Sequence, residues 1–307
     1  MSLRALVIGY GSIGARHARI LEGMGLAVCV VSRRGEAGGR PVFPSLAQGL
    51  AAAHFDYVVI ATETSQHADA LDRLAQSGFD GAVLVEKPLQ AAPAPLPHCR
   101  FRHAGVGYNL RFHPAVEALR VALAGGSAEI ANFHIGQWLD DWRPGRPAAS
   151  VYSASAATGG GVLRDLSHEL DMIAWLFGPW KSVAAIGGRL SNVTVDADDG
   201  WGILLSCERC PVVTLNMNCL DRRGRRQITV QGQSRTFHAD LVEHSLTCDT
   251  EVRNFSVTRD HTYAAMHKAM LEASPEVCSI PEGLDTVKLI AAIEQAARDK
   301  QWISNQS

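Results

Sequence analysis

Short apolar runs alternate with helical periodicity along the first part of the chain. Residues 3–9 (LRALVIG), 27–32, 56–62, 81–88 and 105–109 are short apolar runs with β-branched residues, which predicts strands buried on both faces. Between them, 15–25, 45–54 and 67–78 carry apolar residues at steps of three and four and predict helices, the first closed by Gly25. Strand–helix alternation of this kind predicts a parallel sheet with helices packed on it. The stretches from the second strand to Phe43 and from Pro88 to Gly105 are short or proline-rich, so loops are expected there.

After residue 113 the pattern changes. A helical segment at 114–126 precedes strand candidates at 128–138, 183–190, 201–207, 211–219, 226–231, 235–241 and 252–257. Short turns between successive strands predict a mostly antiparallel sheet. Helices are expected at 163–177, 260–273 and 282–299. The expectation is an α/β domain over 1–113, then an α+β domain over 114–307 with an open sheet.

Charge narrows the partners. Lysine and arginine number 29 against 31 aspartates and glutamates, a net charge of −2, so no basic field draws in nucleic acid or anionic lipid. No apolar run is long enough to span a bilayer. The early run MSLRALVIGYG reads as a first strand rather than a signal sequence. Seven cysteines, an odd number in a long chain, point to reduced thiols and a cytoplasmic setting. Cys207 and Cys210 form a Cys-x-x-Cys with no second ligand pair, so a hairpin turn is expected there and no metal site.

The first specific chemistry is GYGSIG at 9–14, a G-x-G-x-x-G between a strand and a helix. Gly9 permits the tight turn, Gly11 lets backbone approach a pyrophosphate, and Gly14 lets helix and strand pack closely. The amides of Ser12 and Ile13 would then face the anion at the helix N-terminus. The second strand ends in Ser32, Arg33 and Arg34, where NAD-selective domains place an acid. A hydroxyl and two guanidiniums suit a 2′-phosphate, so NADP is favoured over NAD.

With GYGSIGARH, the stretches IATETSQH, VEKPL and GYNLRFHP follow in order. Together they resemble the glucose–fructose oxidoreductase / inositol dehydrogenase (Gfo/Idh/MocA) family, essentially over the whole chain. Later stretches resemble a subgroup associated with surface-sugar and sialic-acid-type biosynthesis. The resemblance implies a Rossmann domain and an NAD(P)-dependent dehydrogenase or reductase acting on a sugar or nucleotide sugar. It assigns Lys87 to the reacting hydroxyl, with Asp165 and His168 completing the catalytic set. It puts Thr62, His67, Glu86 and Asn109 along the cofactor, and Arg111 near its nicotinamide end. The family commonly spaces its Asp and His four apart; here they are three apart, still expected on one helical face.

Asp165, His168 and Asp171 could also be metal ligands or the polar side of an ordinary helix, but His-x-x-Asp is a poor zinc spacing. Asp171 is expected to be structural. Trp142, Arg143, Arg146 and Tyr152 fall in a long loop, read as a substrate lid or a subunit contact. A redox-assisted lyase or glycosidase with tightly bound NAD, and a non-catalytic dinucleotide-binding protein, remain open as alternatives. The open sheet is expected to bury its bare face in a homodimer or homotetramer.

Overall fold

The run Ala5–Ile8 is almost fully buried, because it lies at the centre of a parallel sheet covered on both faces. The computed structural model describes residues 2–97, 100–139, 160–192 and 197–305. Among these, the first sheet contains β1 (Arg4–Ile8), β2 (Ala27–Val31), β3 (Val42–Phe43), β4 (Tyr57–Ile60), β5 (Ala82–Val85) and β6 (His103–Val106). The strands run parallel in the order β6-β5-β4-β1-β2-β3. Helices α1 (Ser12–Gly23), α2 (Leu46–Ala52) and α3 (His67–Gln76) connect them. No helix occupies 32–45 or the described residues of 89–102, as the short and proline-rich connections predict.

The first unit comprises residues up to Asn109 together with Arg259–Val287. The return of 259–287 differs from the sequence expectation, which kept everything after 113 in the second domain. Its cause is the open edge of β6, whose unpaired backbone groups require cover. Cys278–Ser279 pairs antiparallel with that edge. Just before it comes α7 (His261–Leu271), which buries Met266, Ala269 and Met270. Gly105 on β6 lies against Val277 and Met270, where a Cβ would collide.

The second unit comprises Leu110–Thr258 and Lys288–Ser307. Its strands are β7 (Ala128–Gly136), β8 (Trp180–Gly188), β9 (Gly200–Cys207), β10 (Val212–Asn218), β11 (Arg225–Gly232), β12 (Thr236–Asp240), β13 (Ser245–Cys248) and β14 (Glu251–Asn254). The order is β14-β13-β12-β11-β7-β10-β9-β8, with Ile303–Ser304 beside β8. Only β7 and β10 pair in parallel among these strands. The single strand expected at 252–257 is instead part of a β13–β14 hairpin. The Cys-x-x-Cys is the expected turn between β9 and β10, where the Cys207 amide donates to the Cys210 carbonyl at 2.9 Å. Burial pushes the Cys207 thiol up to about 12 and Cys210 to about 11, so both stay neutral.

One face of this sheet is covered and one is bare. Val213, Leu215 and Met217 point inward against α4 (Pro114–Ala122), α6 (His168–Phe177) and the end of α8 (Ile280–Asp299), through residues such as Leu119, Ile173 and Ile293. On the other face Ile186 is 80% exposed, Ile130 41% and Val212 40%.

Candidate active site

Gly9 has φ +93, and a Cβ there would lie 2.6 Å from the Ala61 carbonyl oxygen, so the turn needs glycine. A Cβ at Gly14 would collide with the Gly9 carbonyl, which fixes how closely α1 meets the turn. At Gly11 nothing lies within 4 Å of the Cβ position, so the space beside that backbone is open. Gly11 caps α1 without a side-chain hydrogen bond, and no acid occupies the first turn. The amides of Ser12, Ile13 and Gly14 therefore carry the helix's positive end into open space. The Thr62 hydroxyl is buried and has no hydrogen-bond partner among the described residues. These features fit a dinucleotide pyrophosphate.

The end of β2 carries no carboxylate. Ser32 Oγ accepts from the Arg34 amide at 3.1 Å, and Arg34 Nη1 lies 3.4 Å from the Tyr10 carbonyl oxygen. Arg33 and Arg34 are exposed.

His67 organises the neighbouring loops. Its Nδ1 lies 3.0 Å from the Pro88 carbonyl oxygen and its Nε2 3.2 Å from that of Thr62. Both ring nitrogens thus face protein backbone, and His67 ties the Thr62 loop to the loop after β5. Asn109 is buried and donates to Thr262 Oγ1 at 2.6 Å.

Lys87 follows β5, and Glu86 beside it is 6% exposed. Glu86 Oε1 accepts from His17 Nε2 at 2.8 Å, and Oε2 accepts from the Lys87 amide at 3.2 Å. Burial alone would raise the Glu86 carboxyl. The His17 hydrogen bond, the Lys87 charge and the Lys87 amide outweigh it and hold the carboxyl below its ordinary value. Behind His17, its Nδ1 meets His267 Nε2 at 2.8 Å, and His267 Nδ1 meets the Tyr57 hydroxyl at 2.9 Å. Neither His17 nor His267 was assigned a role from sequence. Their positions 17 and 267 give no hint that they touch.

In the second unit the helix expected at 163–177 is two helices. Residues Val162–Asp165 form α5 and His168–Phe177 form α6, with a tight turn at Leu166–Ser167. Asp165 and His168 therefore flank a break and do not share a helical face. Asp198 holds the start of α5, accepting from the Leu163 amide at 2.8 Å and the Trp201 indole at 2.6 Å. Gly161, at φ +117, leaves room for that carboxylate. The acidic pair at 198–199 was the unread signal for it.

Two carboxylates anchor α6. Glu169 takes Arg226 at 2.8 and 3.3 Å, and Asp171 takes Arg111 at 2.9 and 2.6 Å. Arg111 is 2% exposed. Its Nε and Nη2 both bond Asp171, inside the unit. Among the described residues, no group of three or more His, Cys, Asp or Glu could hold a metal ion. Trp142, Arg143, Arg146 and Tyr152 lie outside the described residues.

The buried histidines give stability a pH dependence. Burial presses His67 below the ordinary value of 6.5, and burial followed by the neighbouring His17 presses His267 well below it. As pH falls through about 6.5, the unfolded chain takes up protons at these positions while the folded chain does not. Stability therefore drops with acidification, by up to about 1.4 kcal/mol per pH unit for each such group. Urea midpoints measured at pH 7.5 and 5.5 should differ, and the gap should narrow in His267→Gln. An unchanged gap in that variant would remove His267 from the account.

Comparison with known proteins agrees with this arrangement. Residues 3–97 match the oxidoreductase family's NAD-binding Rossmann-fold domain, and residues 125–238 match the GFO/IDH/MocA C-terminal domain. Inositol 2-dehydrogenase of Rhizobium meliloti (strain 1021) is 28% identical over 224 residues, covering 65% of this chain and 63% of that enzyme's length. The WlbA dehydrogenase from Bordetella pertussis, in complex with NADH and UDP-GlcNAcA, matches with a TM-score of 0.80 at 19% identity, covering 100% of this chain and 98% of that one. GenD2 from gentamicin A biosynthesis, in complex with NAD, matches with a TM-score of 0.82 at 21% identity, covering 100% and 97%. At these identities the two structures speak for the fold. With both domain matches falling in order, one in each unit, the chain belongs to the GFO/IDH/MocA family of NAD-binding oxidoreductases.

Proposed function

We propose that this chain is an NAD(P)-dependent dehydrogenase or reductase, moving a hydride between nicotinamide and a hydroxyl or carbonyl carbon of a sugar or nucleotide sugar. The observation that carries the reading is in the first unit. A helix N-terminus open to an anion and a lysine backed by a buried carboxylate follow β1 and β5, two strands of one parallel sheet with β4 between them. Among the relatives one is named an inositol 2-dehydrogenase and another is a dehydrogenase bound to NADH and UDP-GlcNAcA, which supports a polyhydroxylated substrate.

The bound nicotinamide supplies or accepts the hydride. In this reading Lys87 hydrogen-bonds the reacting oxygen and offsets charge developing there. His168 exchanges the proton at that oxygen, a task suited to an imidazole near neutral pH. Asp165 favours the charged form of the histidine. The test is a turnover assay with NAD and NADP on a panel of myo-inositol, UDP-N-acetylglucosamine and its uronate. Lys87→Ala should abolish turnover while still binding reduced cofactor, and His168→Ala should slow it by about 10²- to 10⁴-fold. Full activity in His168→Ala would overturn its assignment. Product formation with no net cofactor reduction would favour a redox-assisted lyase. Cofactor binding without turnover on any compound would favour a non-catalytic binder.

The cofactor preference follows from the end of β2. A carboxylate there would repel a 2′-phosphate, whereas Ser32, Arg33 and Arg34 offer a hydroxyl and two guanidiniums. One charge-assisted contact contributes about 1.5–3 kcal/mol, less when screened by solvent. NADPH should therefore bind about tenfold tighter than NADH in fluorescence titrations. Equal dissociation constants would return both arginines to the role of solvated loop residues.

The bare sheet face supports self-association. Ile186, Ile130, Leu204 and Val212 are exposed on it, and a groove of about 1060 Å³ runs between it and Ala296, Lys300 and Trp302. A second copy of the chain would remove this apolar surface from water. Light scattering should report a dimer or tetramer, and the double change Ile186→Asp with Leu204→Asp should shift it towards monomer. A monomeric native protein at micromolar concentration would sink the proposal. No helix among the described residues is long and apolar enough to cross a membrane. The proposed setting is the cytoplasm, where thiols stay reduced.

A further inference from the structure

We infer that the buried chain Tyr57–His267–His17–Glu86 is a positioning device, which presents Glu86 as an oriented anion that holds the main chain of Lys87. The inference rests on the catalytic reading of Lys87 given above. Tyr57, His267 and His17 are all 0% exposed and Glu86 is 6% exposed. They come from β4, α7, α1 and the end of β5, and successive contacts are 2.9, 2.8 and 2.8 Å. Gly107 makes the last link possible, since a Cβ there would sit 2.9 Å from Glu86 Oε1. The Tyr263 and His17 rings meet edge-to-face with centroids 5.5 Å apart.

The direction of the chain follows from counting protons. An ionised carboxylate only accepts, so His17 Nε2 carries the hydrogen. With His17 neutral, as the directed chain requires, its Nδ1 is an acceptor and His267 Nε2 donates to it. His267 Nδ1 is in turn an acceptor and takes the Tyr57 hydroxyl proton. Every contact is satisfied with both rings neutral and Glu86 the single charge. The chain ends at Tyr57, which is fully enclosed, so it has no outlet to solvent through that residue. It therefore acts as a fixed array of dipoles aimed at Glu86 and does not export protons. Its output is at the other carboxylate oxygen, where the Lys87 amide donates at 3.2 Å.

Replacing Glu86 by glutamine should reverse the whole chain. The glutamine oxygen keeps the Lys87 amide, but its NH₂ must donate to His17 Nε2. His17 Nδ1 then donates to His267 Nε2, and His267 Nδ1 donates to the Tyr57 oxygen. The experiment is ¹⁵N NMR of histidine-labelled full-length protein without cofactor at pH 7.5. Wild type should show Nε2–H tautomers at both His17 and His267, and Glu86→Gln should show Nδ1–H at both. A wild type with Nδ1–H on either ring, or a Glu86→Gln protein with unchanged tautomers, overturns the directed chain. This readout needs no substrate, so it stands apart from the fate of the dehydrogenase reading.

A second measurement tests positioning. His17→Leu removes the donor to Glu86, whereas His17→Gln keeps a donor and an acceptor on one planar group. Exchange of the Lys87 amide should be at least tenfold faster in His17→Leu than in wild type, with recovery in His17→Gln. On a substrate found in the panel, His17→Leu should lose at least tenfold in kcat with KM and the NADH dissociation constant within threefold. Wild-type exchange and kcat in His17→Leu, or equal losses in the leucine and glutamine variants, would reduce His17 to packing. If His17→Leu does not fold, the tautomer comparison in Glu86→Gln decides alone.

Discussion

An ionised carboxylate in a protein interior costs several kcal/mol unless hydrogen-bond donors and opposite charge surround it. That constraint governs both halves of this molecule. Glu86, Glu169 and Asp171 are each at most 6% exposed, and each has a specific partner distant in sequence. Glu86 takes His17, Glu169 takes Arg226 and Asp171 takes Arg111. Two of the three are immediate neighbours of proposed catalytic groups, Lys87 and His168. Removing one partner of such a pair leaves an uncompensated charge, so the geometry is enforced more strongly than apolar packing alone would enforce it.

In the second unit the pairs fix α6 from two sides. Arg226 comes from β11 and Arg111 from the turn after the first unit, so the helix cannot rotate without breaking one of them. His168 opens that helix. The break at Leu166–Ser167 lets α5 be held separately, by Asp198 at its start. The short Asp–His spacing is thus accommodated by a turn between two helices, each with its own anchor.

In the first unit the backbone carries most of the work. Gly9 and Gly14 set the turn by close approach, and the amides behind them need no side-chain chemistry to attract an anion. The side chains facing this region are mostly committed already. His67 faces two carbonyls and Asn109 bonds Thr262, which leaves the Thr62 hydroxyl as a buried polar atom still lacking a partner among the described residues.

The sequence by itself determined what depends on local spacing. Continuous apolar runs, strand–turn–glycine context and short turns between successive strands marked the parallel sheet, the G-x-G-x-x-G turn and the open antiparallel sheet, because each rests on residues a few positions apart. The acid-free end of β2 was legible for the same reason, whereas Lys87 was singled out by the family resemblance that VEKPL helps to carry. Tertiary structure alone decided the rest. The return of 259–287 answers an exposed strand edge, which no local pattern encodes. The burial of Arg111 depends on Asp171, 60 residues away, and the His17–His267 contact spans 250. Sequence spacing carries no record of such contacts, because they are selected by what the fold must bury and by which charge is left needing a partner.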